Sequence, residues 1–254
     1  LVTAQRIGEH SLPDALPLDL SVTDERILLL CDKRLAILSL DGDTCLNYAY
    51  NERYILPFSH DEVVHGKKTI IDKLHGSYEQ KFAQARLLYL YMMTHPGKKL
   101  NFMGNELAMF REWDERREPD WELLKMPAHD SFHRYIGELN RLYLKKKAIW
   151  SLDHTYDGFK WVDLGSDNKC VFGYTRTNGK QALLILLNFS DKSALCKLEC
   201  SWKLLLHTGW KRFGGSTKKQ SDIPLPVSIG PYSGLILEQR ITQQDCTDFG
   251  QSVI

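Results

Sequence analysis

The sequence predicts an α/β unit followed by an all-β domain, and three observations carry that prediction. Two short apolar runs, at residues 54–58 and 100–103, flank a long helix-periodic stretch over 77–95, the strand–helix–strand pattern of a parallel crossover. Each run ends in polar residues: Ser59-His60-Asp61-Glu62 after the first, Gly104-Asn105-Glu106 after the second. Beyond about residue 152 the texture becomes short strands at even spacing, divided by turns, as in a β-sandwich.

Composition narrows the function classes. The 254 residues are 43% hydrophobic and 26% charged with net charge +1, an ordinary globular balance for one large or two modest domains. No Lys/Arg stripe offers a footprint for nucleic acid. No apolar stretch approaches the roughly 18 to 20 residues of a bilayer span, so no membrane partner is expected. The longest apolar run, 87–93, reads as buried helix. No basic-then-apolar leader is present, and the six scattered cysteines lack zinc spacing. Free thiols in a reducing cytoplasm are expected, with no metal or organic cofactor and a monomeric state. Because the chain begins with Leu1 rather than Met, it is not expected to start where its gene does.

In chain order, residues 1–47 are the least legible. Runs 27–31 and 35–40 have strand length, Pro13 and Pro17 mark a loop, and Asp41-Gly42-Asp43 reads as a surface turn rather than a metal loop. Residues 69–75 read as a short helix or loop. Ser77 is a natural N-cap for a helix whose Phe82, Ala85, Leu88, Tyr89, Met92 and Met93 recur at three- and four-residue steps, and Pro96-Gly97 stops it. The irregular stretch 110–121 holds Trp113 and Trp121 among carboxylates and arginines. It fits a sugar-stacking loop and an anchored surface loop equally well. A second helix over 129–147 places Phe132, Tyr135, Ile136, Leu139, Leu142 and Tyr143 on one face and ends in three lysines that suit the negative end of its dipole. The strands that follow are 159–162, 170–176, 182–189, 195–198, 202–207 and 227–237. Asn178-Gly179 signals a hairpin, residues 213–221 a loop, and 242–254 a polar tail.

The chemistry gathers at the end of the first run. His60, Asp61, Glu62 and His65, with Gly66 for a tight turn and Lys67 behind it, lie where a β/α barrel builds its active site, just past the C-terminal end of a strand. The alternative for these residues alone is a polar loop with Asp61 as N-cap of the next helix.

The stretch Leu56-Pro57-Phe58-Ser59-His60-Asp61-Glu62-Val63-Val64-His65-Gly66-Lys67 resembles a signature of the 1,4-α-glucan (glycogen) branching enzymes, bacterial type, of the α-amylase superfamily. Pro96-Gly97-Lys98-Lys99-Leu100-Asn101-Phe102-Met103-Gly104-Asn105-Glu106, Arg111-Glu112-Trp113 and Asp120-Trp121 resemble further motifs of that family in the same order. The likeness covers roughly residues 48–240. It implies the C-terminal part of a (β/α)8 TIM barrel over 48–154, with strands seven and eight and their helices, then a C-terminal β domain over 155–241. It also implies glycosyl transfer of an α-1,4-glucan chain to a 6-hydroxyl, with glycogen or amylose as partner, by the retaining scheme of a carboxylate nucleophile and a general acid/base. Asp61 would be the transition-state stabiliser, His60 a hydrogen-bond donor to the same sugar, and Glu62, Lys67, Glu106 and Trp113 rim residues.

The sequence departs from the family upstream. Neither the Asp nucleophile in its Gly-x-Arg-x-Asp run nor the Glu acid/base cluster occurs before Tyr54; Glu25 and Asp41 lack that context. A complete barrel takes about 250 residues, and two βα units cannot close one. A C-terminal fragment without branching activity is therefore expected, with a non-catalytic α-glucan-binding fragment as the alternative.

Overall fold

The computed structural model describes residues 55–239, apart from 169, 199–201 and 222, together with the backbone of three strands nearer the N-terminus. Those strands, β1 (Leu20–Val22), β2 (Arg26–Cys31) and β3 (Arg34–Ser39), pair antiparallel in sequence order. The two apolar runs of the N-terminal segment are thus partners. Pro13, Pro17, the 41–43 turn signal, Tyr48 and the 242–254 tail lie outside the described residues.

The crossover follows. Strand β4 (Ile55–Phe58) pairs in parallel with β5 (Lys98–Asn101), in register from Ile55↔Lys98 to Phe58↔Asn101. Between them run the single turn α1 (Ile70–Lys73) and the long helix α2 (Tyr78–Thr94). Helix α2 starts at Ser77 because a reciprocal capping box forms: Ser77 Oγ accepts from Gln80 N at 3.3 Å, and Gln80 Oε1 accepts from Ser77 N at 2.8 Å. It ends at the Pro96-Gly97 pair, with Gly97 left-handed at φ 109°.

Two expectations for these elements need correction. Strand β5 begins at Lys98, two residues before the apolar run, because its backbone pairs with β4 whatever its side chains are. And α2 is not apolar on one face only: Leu87, Leu90, Tyr91 and Thr94 are buried along with the predicted stripe. The helix is enclosed from two sides, by β4 and by the C-terminal sheet. Phe58 meets Tyr89 edge-on at 5.1 Å. On the other side Gly234 permits the approach of the strand Ser233–Gln239, since a Cβ there would lie 3.0 Å from Leu87 Cδ1. A helix covered all round loses the periodicity that marks a surface helix.

Helix α3 (Pro127–Lys145) starts two residues earlier than expected, with Pro127 in the first turn, where a missing N–H costs nothing. Its Phe132, Tyr135, Ile136 and Leu139 are buried, as the spacing predicts. Two antiparallel sheets complete the chain. One has the order β10 (Trp202–His207), β12 (Ser233–Gln239), β8 (Ala182–Asn188), β7 (Val171–Thr177), β6 (Phe159–Val162); the other pairs β9 (Ala194–Cys196) with β11 (Val227–Ile229). The run 227–237 is therefore two strands in two sheets, broken at 230–232, where Tyr232 is left-handed at φ 44°. Buried Asn188 ties the sheets together, its amide donating to Gly230 O at 2.9 Å. One contiguous cluster of buried side chains runs from Phe58 to Leu237.

Candidate active site

The turn after β4 is built by short-range hydrogen bonds. Ser59, not Asp61, is its cap: Ser59 Oγ accepts from Asp61 N at 3.2 Å and donates to Glu62 Oε2 at 2.7 Å, closing the 3-10 turn His60–Glu62. Lys67 Nζ reaches back to Asp61 O at 2.9 Å, and Lys73 Nζ donates to Glu62 O. Burial, acting against the attraction of Glu62, holds the Lys73 ammonium below its ordinary pKa. The backbone oxygens of the turn are thus occupied, while the Asp61 side chain stays 68% exposed.

His60 and Asp61 meet at 3.3 Å, Nε2 to Oδ1. The His60 ring lies against Phe102 (centroids 5.8 Å) and Trp113 (6.3 Å), which meet each other edge-on at 5.2 Å. Phe102 follows β5 and Trp113 comes from the irregular stretch, so three segments converge on one small aromatic patch beside a carboxylate. The strand ends are locked together at Phe58 O, which accepts from Phe102 N at 2.8 Å and from the buried Asn105 amide at 3.3 Å.

A clasp holds the loop behind the turn. His65, Gly66 and Lys68 are all left-handed, with φ of 58°, 78° and 65°, and two of them lack the glycine that tolerates it. Glu112 compensates: its carboxylate accepts from Gly66 N at 2.8 Å and Lys68 N at 2.6 Å. Next to it Trp113 N donates to Val63 O at 2.9 Å. Arg111 forks onto Asp120 (Nε to Oδ1 3.0 Å, Nη2 to Oδ1 2.7 Å) and onto Glu118 O at 2.9 Å, and this hydrogen bonding raises its pKa.

His60, Asp61, Glu62, Lys67 and Trp113 are therefore brought together, with Trp113 half-buried. Glu106 sits one turn beyond β5, half-buried, where its charge adds to the burial that raises the Tyr89 phenol. Trp121 stands apart, 50% exposed. The positioning role of Glu112 was not legible in the sequence: Gly66 announces a turn, but the carboxylate that restrains it lies 46 positions further along the chain.

Comparison with known proteins bears on this turn. The chain is 47% identical over 196 residues to the 1,4-alpha-glucan branching enzyme of Geobacillus stearothermophilus, spanning 74% of this chain and 30% of that one. It is 49% identical over 220 residues to that of Bacillus cereus strain B4264, spanning 82% and 33%. The chain is a relative of the bacterial 1,4-alpha-glucan branching enzymes. It spans about a third of the length of the curated relatives it matches. No family model matches it. In fold it is similar to the catalytic module of the pneumococcal glycogen-degrading virulence factor SpuA, with TM-score 0.55, 14% identity, and coverage of 69% of this chain and 35% of that one. The branching-enzyme-like signature 56–67 forms the end of β4 and the capped turn, and the Arg-Glu-Trp motif supplies the clasp and the aromatic support.

Proposed function

We propose that the chain is the C-terminal portion of a 1,4-alpha-glucan branching enzyme, with β4 and β5 as strands seven and eight of a (β/α)8 barrel and 155–241 as its C-terminal β domain. The observation that carries this reading is the meeting of His60 and Asp61 on an exposed turn at the C-terminal end of β4, seated on Phe102 and Trp113. In it, Asp61 accepts hydrogen bonds from the hydroxyls of the sugar being cleaved and favours the ring distorted toward an oxocarbenium-like transition state, while His60 donates to the same sugar. Contacts that strengthen as charge develops lower the barrier. Glu62, Lys67, Glu106 and Trp113 line the rim, glycogen or amylose is the substrate, and the reaction is cytoplasmic.

The nucleophile and the acid/base belong to other strands of the barrel and have no counterpart here, so the chain alone does not branch glucan. Among the described residues the parallel pair carries exposed apolar side chains, Ile55 at 56% and Leu100 and Met103 as well, whereas parallel strands are ordinarily covered on both faces, and this supports the reading.

A chimera joining the upstream portion of the Geobacillus stearothermophilus enzyme to residues 48–254 tests the proposal. It is expected to form α-1,6 branches on amylose, read as a fall in iodine absorbance without release of reducing sugar. Hydrolysis by the chimera would overturn the transfer reading, and branching by the unfused chain would overturn the fragment reading. A second reading, a glucan-binding fragment, rests on Trp121, exposed on a segment that Arg111 fixes through Asp120. Retention on amylose that is lost in Trp121→Ala supports it.

A further inference from the structure

The single-turn helix α1 links the turn that carries Asp61 to the long helix α2. Thr69 caps it, Oγ1 accepting from Asp72 N at 3.3 Å, and its Ile70 and Ile71 are buried. Its last two residues each make one link. Asp72 O accepts from Lys81 Nζ, near the start of α2, at 2.8 Å, and the Asp72 carboxylate stands 3.5 Å from the same nitrogen. Lys73 Nζ donates to Glu62 O, so the chain of contacts runs from α2 through α1 to the turn.

The Asp61 main chain is held on both sides. Ser59 Oγ accepts from its N–H at 3.2 Å, Lys67 Nζ donates to its carbonyl at 2.9 Å, and Lys73 holds the next carbonyl along. The two lysines differ in their footing. Lys67 lies on the loop itself, whereas Lys73 is half-buried on an element anchored in the core by Ile70 and Ile71. A carboxylate on two staggered torsions has few places to stand once its main chain is fixed. The hold on these carbonyls therefore governs where the exposed Asp61 side chain lies.

We propose that Lys73 is a positioning residue: from α1 it fixes the Glu62 carbonyl, and through it the place of the Asp61 carboxylate against the sugar, without itself touching substrate. The inference rests on the proposed role of Asp61. A displacement of about 1 Å at a reacting centre costs on the order of 10²-fold in rate, so a hold of this kind has a measurable consequence.

Branching kinetics of the chimera that carries residues 48–254 test it. Lys73→Met should lower kcat about 10- to 100-fold. KM should stay within about twofold of the parent, as expected when only transition-state contacts suffer. Lys73→Arg keeps a donor for the carbonyl and should recover most of the rate. An unchanged kcat, or a loss confined to KM, overturns the proposal. Amide hydrogen exchange of the full 254-residue chain separates it from the sugar-transfer reading. Lys73→Met should speed exchange at Asp61 and Val63 by about tenfold or more and leave the amides of α3 unchanged. If the parent chimera does not branch while this exchange quickens, the sugar-transfer reading falls and the hold of Lys73 on the turn stands. Unchanged exchange overturns that hold, whatever the chimera does. Should Lys73→Met fail to fold, Lys81→Met cuts the same link at α2 and should quicken the same amides; no change there overturns the proposal.

Discussion

Two carboxylates show how differently one chain uses the same group. Asp61 stands on the turn after β4 with its side chain largely in water and His60 beside it, at 3.3 Å. Asp153 is sealed in the joint between the end of α2 and the C-terminal sheet, where Arg176 Nη2 donates to it at 2.6 Å and Lys98 approaches to 3.4 Å. Arg176, equally inaccessible, also donates to Thr94 O at 2.6 Å and Gly158 O at 3.0 Å. The three guanidinium nitrogens of Arg176 are thus each committed to holding elements together. At the turn the backbone oxygens are committed, to Lys67 and Lys73, and the Asp61 carboxylate is left available. Such availability suits a group that waits for a ligand, and saturation suits one that holds structure.

Substitution at the joint should have the largest effect on stability. Asp153→Ala strands the Arg176 guanidinium without its counter-charge, an expected loss of about 3–5 kcal/mol, measured as a lower midpoint in urea unfolding. An Asp153→Ala chain within 1 kcal/mol or so of the parent would mean that the joint carries far less than its geometry implies.

Acid should weaken the fold as well. Burial depresses His95 to about 3 and His207 to about 4. Both are neutral in the folded chain, while the unfolded chain takes up protons near the ordinary value of about 6.5. Their stabilisation is thus full above about pH 6.5 and is lost as pH falls toward 4, with a slope of at most about 1.4 kcal/mol per pH unit for each group. Urea midpoints between pH 7 and 4 read this slope, which His95→Phe should reduce. An unchanged slope would place the acid sensitivity elsewhere.

Smaller effects come from the clasp and the cap. Glu112→Ala removes two charge-assisted hydrogen bonds from a partly exposed carboxylate, at a cost of about 1–3 kcal/mol. It should also speed tryptic cleavage after Lys67 and Lys68, whose loop then lacks its restraint. Ser77→Ala opens the capping box of α2 and should cost about 1 kcal/mol.

Asp61→Asn should bring the smallest stability change and the largest functional one. Stability is expected within about 0.5 kcal/mol of the parent, and branching by the chimera about 10²–10³-fold lower. A large stability loss with activity retained would invert the contrast between the two carboxylates.

Much of this was legible beforehand because it is local. The capping serine, the proline–glycine stop, the Asn178-Gly179 hairpin and the apolar periods of α3 each act within a few residues, so spacing alone declares them. The run 227–237 misled for the opposite reason: a break at 230–232 sends its halves to different sheets, and apolar content does not distinguish the sheets. The order of the titratable side chains from His60 to Lys67 was likewise fixed by sequence, including the serine that precedes them.

What sequence alone could not decide was which partners lie far along the chain. The second covered face of α2 depends on Gly234. The left-handed loop at 65–68 depends on Glu112, the ring of His60 on Phe102 and Trp113, and the buried Asp153 on Arg176. Local chemistry sets the elements and the cap that starts each one. Packing between distant segments sets which charge is sealed in and which is left in water, because solvation is a property of the assembled surface and not of any residue's neighbours in sequence.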